Sequence, residues 1–294
     1  MFFEGFELRY VPVGTGRVRV RVGGEGPPVL LLHGHPQTHA MWHLVAPRLA
    51  EAGHTVVAAD LRGYGESVPP AVAGERHPYS KRAMAAELVA VMRTLGHEEF
   101  AVAGHDRGGR VAYRMALDHP ETVTRLAVLD IVPTSETWAF ADRHGRAFGR
   151  AFPHWFYLAE PGDRLERLVS ADPDSWYYLK ETEQFHPDAL ADYRRCLHRP
   201  STVHAIFEDY RAGAGIDDLL DRADRASGRR IACPVLSLWS ARGELPGWFN
   251  VRAVWRRWAD QVSGYGIDCG HYLAEEAPDE TASALTQFLA EEPI

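Results

Sequence analysis

The most informative segment of the chain is Val102-Ala103-Gly104-His105-Asp106-Arg107-Gly108-Gly109. An apolar run precedes it and a helix-like run follows it, so it predicts a sharp turn from a buried strand into a helix. Glycines must flank Asp106 there, because side chains would clash with the strand and the helix. Such a turn strains its central residue and exposes the side chain at a helix N-terminus, where free N–H groups favour negative charge. Asp106 is therefore a candidate nucleophile, and the alternative is a simple helix N-cap.

Apolar runs and helix-like segments alternate on both sides of this turn. Buried strands are predicted at residues 29–32, 55–59, 100–103, 126–129 and 234–238, and an antiparallel strand of period two at 18–22. Helices are predicted at residues 41–52, 81–95, 107–117 and 278–289. This alternation predicts an α/β fold, with a mostly parallel central sheet covered by helices on both faces.

The alternation stops between about Thr134 and Arg225, where only helix-like segments are found. This part holds 14 of the 31 aromatic residues of the chain, which suits helices that line a pocket. We therefore expect a core formed by residues 1–133 and 226–294, and an inserted helical cap domain at 134–225.

Composition excludes several classes of protein. With 294 residues, 46% hydrophobic and 24% charged, the chain has ordinary globular composition and enough apolar residues to exclude general disorder. A net charge of −8 argues against a nucleic-acid partner. No apolar run approaches the ~18 residues of a membrane span, and the acidic start does not resemble a signal peptide. Three dispersed cysteines fit a reducing compartment, so we expect a cytoplasmic protein.

The identity of the candidate nucleophile determines the chemistry. A carboxylate is a useful nucleophile at saturated carbon, where it displaces a leaving group and forms an ester on the enzyme. Water must then hydrolyse that ester, so a general base is required. His271, in Gly270-His271 after the last strand region, lies where the catalytic histidine falls in the chain order nucleophile, acid, histidine.

The acid that orients His271 is predicted to be Asp130, which ends the strand at 126–129. Catalytic groups collect at the carboxyl ends of strands in open α/β sheets. Glu244 and Asp268 are the alternatives. Asp60 also ends a strand, but a structural role is usual at that place.

A histidine-rich segment follows the strand at 29–32. A backbone N–H there usually supplies half of an oxyanion hole, which predicts the N–H groups of His35 and Arg107 as the two donors. A metal site formed by His33, His35, His39 and His43 is the competing interpretation. Acidic ligands in the right context are missing, so no metal is predicted. The chain also lacks a dinucleotide-binding fingerprint, so no cofactor is predicted.

Together these segments resemble the haloacetate (fluoroacetate) dehalogenases, a family of the α/β-hydrolase superfamily. The resemblance spans nearly the whole chain. It rests on residues 33–38, 41–42, 60–65, 104–110, 115–120, 129–134, 154–155, 209–212 and 270–271. It implies a hydrolytic dehalogenase that converts small 2-haloacids such as fluoroacetate or chloroacetate to glycolate and halide through an aspartyl ester. Water would be the second substrate, and the family resemblance suggests a homodimer.

The resemblance also implies roles for individual residues. Asp106 would be the nucleophile, His271 the base and Asp130 the acid. Arg107 and Arg110 would bind the substrate carboxylate. They stand three apart at the start of one helix, and guanidinium groups suit a carboxylate; a surface salt bridge is the alternative for Arg110.

His154, Trp155 and Tyr210 would hold the departing halide, again by the resemblance. Their N–H and O–H groups can be aimed at a developing anion. The alternative is that Trp155 and Tyr210 are core aromatics of the cap. Two departures from the family pattern affect fluoride specificity and pocket size: His35 stands where the family has Phe, and the segment after Trp176 is shorter.

Two other functions remain open. An epoxide hydrolase would share Asp106 and His271 and protonate the ring with two tyrosines, Tyr210 and one of three others (Tyr157, Tyr177, Tyr178). The paired arginines argue against a neutral epoxide. A non-catalytic ligand-binding protein of the same fold would not need the set of nucleophile, base and acid.

Overall fold

The central feature of the computed structural model, which describes residues 2–69, 77–177 and 184–291, is an eight-stranded sheet. The strands lie in the order β1-β2-β4-β3-β5-β6-β7-β8. β1 and β2 pair antiparallel, as do β2 and β4, and all other pairs are parallel. The bounds are Glu7–Val13, Gly16–Gly23, Pro28–Leu32, Thr55–Ala59, Phe100–His105, Val123–Leu129, Val235–Ser240 and Val262–Ile267. The predicted α/β fold with a mostly parallel sheet is confirmed.

Helices connect these strands and cover both faces of the sheet. A short 3₁₀ helix occupies His39–Trp42. The described α-helices α1 to α14 span Ala46–Glu51, Lys81–Thr94, Asp106–Asp118, Thr134–Ala151, His154–Tyr157, Arg164–Ala171, Pro173–Trp176, Pro187–Leu197, Pro200–Ala214, Ile216–Ser227, Leu245–Trp248, Val251–Trp255, Leu273–Glu276 and Pro278–Ala290.

Two apolar cores lie on opposite faces of the sheet because successive strand residues point to opposite sides. In β3, Leu30 and Leu32 join one core, whereas Val29 and Leu31 join the other. The first core includes side chains of α2 and α3, and the second includes side chains of α1, α13 and α14. Strands buried on both faces explain the continuous apolar runs in the sequence.

One predicted helix differs from the structure. Residues 41–52 were expected to form a single helix, but the chain forms the 3₁₀ helix and then restarts as α1 at Ala46. Pro47 lies in the first turn of α1. Proline cannot donate a backbone hydrogen bond and is tolerated in the first turn of a helix but not further in, so α1 starts just before it.

All described helices between β6 and β7 form one segment, α4 to α10, which we call the helical insertion (Thr134–Ser227). A buried ion-pair network joins it to the rest of the chain: Asp221 and Asp224 of α10 bond Arg114 of α3, at 2.8 and 2.6 Å. Breaking such a buried pair by removing one partner is strongly destabilising.

Among the described residues, no helix is both long and apolar enough to cross a membrane.

Helix α3 approaches strands β3 and β5 very closely at three glycines. A Cβ on Gly108 would lie 2.4 Å from the carbonyl oxygen of His33, and one on Gly104 would lie 2.4 Å from the carbonyl oxygen of Gly108. A Cβ on Gly109 would meet the Gly104 carbonyl oxygen at 2.8 Å. These contacts are to backbone, which cannot move aside as a side chain can. The glycines therefore hold the first turn of α3 against the ends of the strands.

We expect Gly108→Ala to lower the free energy of unfolding by about 1–3 kcal/mol, because the added methyl overpacks a backbone contact. Chemical denaturation would measure this change. Gly145→Ala is the matched control, since a Cβ there meets nothing within 4 Å. A Gly108→Ala protein as stable as the control would show that the close approach is not required.

Candidate active site

Asp106 occupies the strained position that the sequence predicts. It starts α3 directly after β5, and its φ of +46° is a left-handed conformation that is rare for any residue with a Cβ. Its carboxylate is buried, and the backbone N–H of His35 donates to its Oδ1 at 3.0 Å. Arg107, the other predicted backbone donor, lies in the first turn of α3, where an N–H has no partner within the helix.

The Asp106 carboxylate is held in its ionised form. Burial alone would raise its pKa, but the electrostatic interactions with His271, His105, Arg107 and Arg110 outweigh burial and lower the pKa of Asp106 far below its usual value. An anionic carboxylate is what nucleophilic attack requires.

His271 and Asp130 form a close pair beside Asp106. The Nδ1 of His271 lies 2.6 Å from Oδ2 of Asp130, and the backbone N–H of Ser240 donates to Oδ1 of Asp130 at 2.9 Å. Asp130 follows β6 and has a φ of +54°. Of the two alternatives, Asp268 pairs with Arg242 on the surface, and Glu244 lines a cavity in contact with the site.

The charges around His271 raise its pKa. Burial would lower the pKa of this imidazole, but the hydrogen bond and charge of Asp130, together with the charge of Asp106, raise it above the usual value. A histidine oriented by one carboxylate and facing another is the arrangement expected of a general base.

Arg107 is a fully buried side chain whose guanidinium already has a partner. Its Nε and Nη2 donate to the carboxylate of Asp209 in α9 at 2.9 and 3.0 Å, and Nη2 also donates to the Asp209 carbonyl at 2.8 Å. Tyr64 donates to the same carboxylate at 2.7 Å, and Lys81 contacts it as well. The Nη1 of Arg107 is buried and without a partner among the described residues. Of the Arg107 guanidinium, only Nη1 is therefore left for the predicted contact with a substrate carboxylate.

Arg110 has a different environment. Its Nη1 donates to the carbonyl of Val132 at 3.1 Å and to the hydroxyl of Thr134 at 3.2 Å, and its guanidinium carbon lies 4.6 Å from the centre of the Trp155 ring. Within residues 2–69, 77–177 and 184–291, no carboxylate forms an ion pair with this buried guanidinium, and its Nε has no partner. The surface salt bridge considered for Arg110 is therefore wrong, since the side chain is only 4% exposed.

Two cavities meet at Asp106, His154 and His271. The smaller, of about 210 Å³, is also lined by His35, Tyr210 and further aromatic side chains of the insertion. The larger, of about 370 Å³, is also lined by Arg110, Trp155 and a mostly apolar wall that includes Phe152, Trp248 and Phe249. The structure thus places all three predicted halide-binding residues (His154, Trp155, Tyr210) around Asp106. Tyr157, Tyr177 and Trp176 line the smaller cavity, whereas Tyr178 lies outside the described residues.

The histidine-rich segment does not converge on a common point. His33 uses both ring nitrogens within the fold, since Nδ1 lies 2.8 Å from the Gly34 carbonyl and Nε2 accepts from the Leu61 N–H at 3.0 Å. The Nδ1 of His39 bonds Asp60 at 2.8 Å, and that of His43 bonds the Ala40 carbonyl at 3.0 Å. Asp60 is fully buried and also accepts the backbone N–H of Glu66, which is a structural role.

Two functional features escaped the sequence reasoning. Asp209 and Lys81, which fix Arg107, are far from it in sequence, and a lone Asp in a helix gives no signal of such a contact. Asp209 did lie in one of the segments that carry the family resemblance, but no role came with it. The side chain of His35 was noted only as a departure from the family pattern.

Known proteins resemble this chain in sequence and in structure over most of its length. Residues 27–278 match the family model described as the alpha/beta hydrolase fold. The chain is 43% identical to the fluoroacetate dehalogenase of Burkholderia sp, over 98% of this chain and 95% of that one. It is 28% identical to the soluble epoxide hydrolase of Corynebacterium sp. (strain C12), again over 98% and 95%. A solved structure of a candidate α/β hydrolase from Nostoc sp PCC 7120 has a TM-score of 0.92 and 46% identity, covering 99% of this chain and 100% of that one.

We expect Asp130→Asn to lower the pKa of His271, because the substitution removes the negative charge that stabilises the imidazolium. NMR titration of the histidine ring signals measures this, with the His271→Asn spectrum identifying the signal. Asp268→Asn removes an exposed carboxylate paired with Arg242 and is the control. An equal pKa of His271 in the parent, in Asp130→Asn and in Asp268→Asn would contradict the assigned pair.

Proposed function

Since the chain belongs to the α/β-hydrolase fold family, we propose that it is a hydrolase acting on carbon–halogen bonds, a dehalogenase of small 2-haloacids such as fluoroacetate or chloroacetate. The products would be glycolate and halide, and the reaction would pass through an ester on Asp106. The relationship to a fluoroacetate dehalogenase at 43% identity over 98% of the chain supports this proposal.

The observation that carries the proposal is the unpaired, buried guanidinium of Arg110 next to the buried carboxylate of Asp106. A buried charge without a counter-ion is costly, so such a group is usually a binding site for a charge that the ligand brings. Arg110 lines the larger cavity together with Asp106. A substrate carboxylate on Arg110 would place its neighbouring carbon near the nucleophile. The Nη1 of Arg107 is unpartnered among the described residues, but Arg107 lines neither cavity, so we propose Arg110 as the main carboxylate-binding residue.

The first chemical step would be displacement at the carbon that bears the halogen. The Oδ1 of Asp106 accepts the His35 N–H, so Oδ2 is the oxygen available for attack. An Oδ2–C bond forms while the carbon–halogen bond breaks, and the halide leaves with the bonding electrons. His154, Trp155 and Tyr210 carry N–H and O–H groups around this point and would stabilise the departing anion.

The second step would be hydrolysis of the ester. His271 removes a proton from water, and the resulting hydroxide attacks Cγ of Asp106. The negative charge on Oδ1 in the tetrahedral intermediate is met by the backbone N–H groups of His35 and Arg107. Collapse of the intermediate breaks the Cγ–O bond to the product. The released glycolate takes its hydroxyl proton from His271. The new carboxyl group of Asp106 then loses its remaining proton to solvent, which restores the carboxylate.

An epoxide hydrolase is the second candidate, supported by the relationship to the Corynebacterium enzyme. Tyr157, Tyr177 and Tyr210 line the smaller cavity with Asp106, so a ring-protonating pair is available. The buried guanidinium of Arg110 favours an anionic substrate over a neutral epoxide. We therefore rank the haloacid first.

We expect the purified protein to release halide from fluoroacetate, chloroacetate and bromoacetate, with glycolate in equal amount. Fluoride is measured with an ion-selective electrode and the other halides by ion chromatography. In His271→Asn, the ester should accumulate on Asp106, because displacement does not need the base but hydrolysis does. Halide release should then stop after about one equivalent per enzyme, with the adduct located by peptide mass spectrometry. Turnover of epoxides with no halide release would favour the second candidate.

We expect Arg110→Met to lower kcat/KM for chloroacetate by roughly a hundredfold, because it removes a desolvated partner of the substrate carboxylate. Activity on the neutral analogue chloroacetamide should change little, so the preference for the acid over the amide collapses. Arg252→Met, at an exposed position of α12, is the control. An unchanged preference in Arg110→Met would show that the carboxylate binds elsewhere.

A further inference from the structure

His35 lies next to the nucleophile, and its side chain has no role in the reaction proposed above. Its backbone N–H bonds Asp106, while its imidazole lines the smaller cavity with Asp106. The Nδ1 atom is buried and has no hydrogen-bond partner among the described residues. Buried polar atoms are nearly always paired, so an orphaned one beside a reacting group requires an explanation.

The imidazole belongs to a triangle of three side chains that can donate hydrogen bonds. The ring of His35 lies 5.3 Å from that of Tyr210 and 6.2 Å from that of His154, and the rings of His154 and Tyr210 are 5.8 Å apart. All three side chains line the same cavity as Asp106. The two partners of His35 in this triangle are residues to which we give the halide-binding role.

The protonation state of His35 is set by its surroundings. Burial and the neighbouring His154 lower its pKa to about 3, so the ring is neutral at ordinary pH. A neutral imidazole carries one N–H and one acceptor nitrogen. Orphaned buried donors are rarer than orphaned acceptors. This favours the hydrogen on Nε2, the nitrogen through which the ring can reach the cavity, with Nδ1 as the buried acceptor.

We propose that the His35 side chain is a specificity-determining residue that donates an Nε2–H hydrogen bond to the departing halide, together with His154, Trp155 and Tyr210. The inference rests on the proposed function and adds a donor where a phenylalanine would offer none. Fluoride is the strongest hydrogen-bond acceptor among the halides and the poorest leaving group. An additional donor therefore favours fluoroacetate more than chloroacetate, and chloroacetate more than bromoacetate.

The test compares His35→Phe and His35→Gln with the parent protein. The first removes the donor and keeps a planar ring, and the second keeps a side-chain N–H. We expect His35→Phe to lower kcat/KM for fluoroacetate by roughly tenfold or more, the size expected for a hydrogen bond to a charged acceptor. The loss for bromoacetate should be small, so the fluoroacetate-to-bromoacetate ratio falls. His35→Gln should recover part of that ratio, and His77→Phe, at an exposed position, should leave it unchanged.

A second readout does not depend on breaking the carbon–fluorine bond. Sodium fluoride and sodium chloride, added at constant ionic strength, should inhibit bromoacetate turnover by the parent more strongly than turnover by His35→Phe. Thermal unfolding is measured in parallel. Because Nδ1 has no partner to lose, we expect His35→Phe to unfold at a temperature no lower than that of the parent, which separates a lost donor from a damaged fold.

The outcomes separate this inference from the proposed function. If the parent releases halide but His35→Phe keeps the same fluoroacetate-to-bromoacetate ratio and the same halide inhibition, the role of His35 is overturned and the dehalogenase stands. If His35→Gln loses as much of the ratio as His35→Phe, ring shape rather than the donor is responsible, and the inference is also overturned. If the parent releases no halide from any of the three acids, both fail together.

Discussion

The close contact of helix α3 with strands β3 and β5 is the constraint on which the site depends. Gly104, Gly108 and Gly109 bring backbone against backbone, and this contact leaves Asp106 at the junction with a positive φ. The strain costs of order 1–3 kcal/mol and persists only because the surroundings over-determine the conformation. This conformation presents the carboxylate at the end of the sheet, where the segment after β3 supplies the His35 N–H and the segment after β6 supplies Asp130.

Charge compensation then gives Arg107 and Arg110 of α3 different roles. Arg107 is neutralised by Asp209, and Lys81 lies between Asp209 and Asp217, so this group contains two positive and two negative charges. The network fixes Arg107 and joins α9 to α2 and α3, which holds the insertion over Asp106. Arg110 has no such carboxylate partner among the described residues. The positive charge that remains for a ligand is therefore concentrated on Arg110, beside the negative charge of Asp106.

Local sequence signals explain why much of this arrangement could be predicted. Buried parallel strands give continuous apolar runs, and a strained turn requires glycines at fixed spacing, so the sheet and the position of Asp106 followed from residues near one another in the chain.

The break before α1 was missed because the apolar pattern continues through Pro47. Strand β1 was missed because most of its residues are exposed and carry no apolar run. Contacts such as Arg107 with Asp209, and the triangle of His35, His154 and Tyr210, join residues about 50 to 175 positions apart, and only the folded chain brings them together.

The electrostatic interaction between Asp106 and His271 changes between the two steps of the proposed reaction. In the free enzyme the negative charge of Asp106 helps to raise the pKa of His271. Formation of the ester removes that charge, so the pKa of His271 falls when the base is needed. Only neutral imidazole can accept the proton from water, so hydrolysis of the ester speeds up as pH rises through this lowered pKa. Halide departure accompanies ester formation and needs no proton from His271. Ester formation thus favours the neutral form of His271 that hydrolysis requires, and Asp130 keeps the imidazole oriented through both steps.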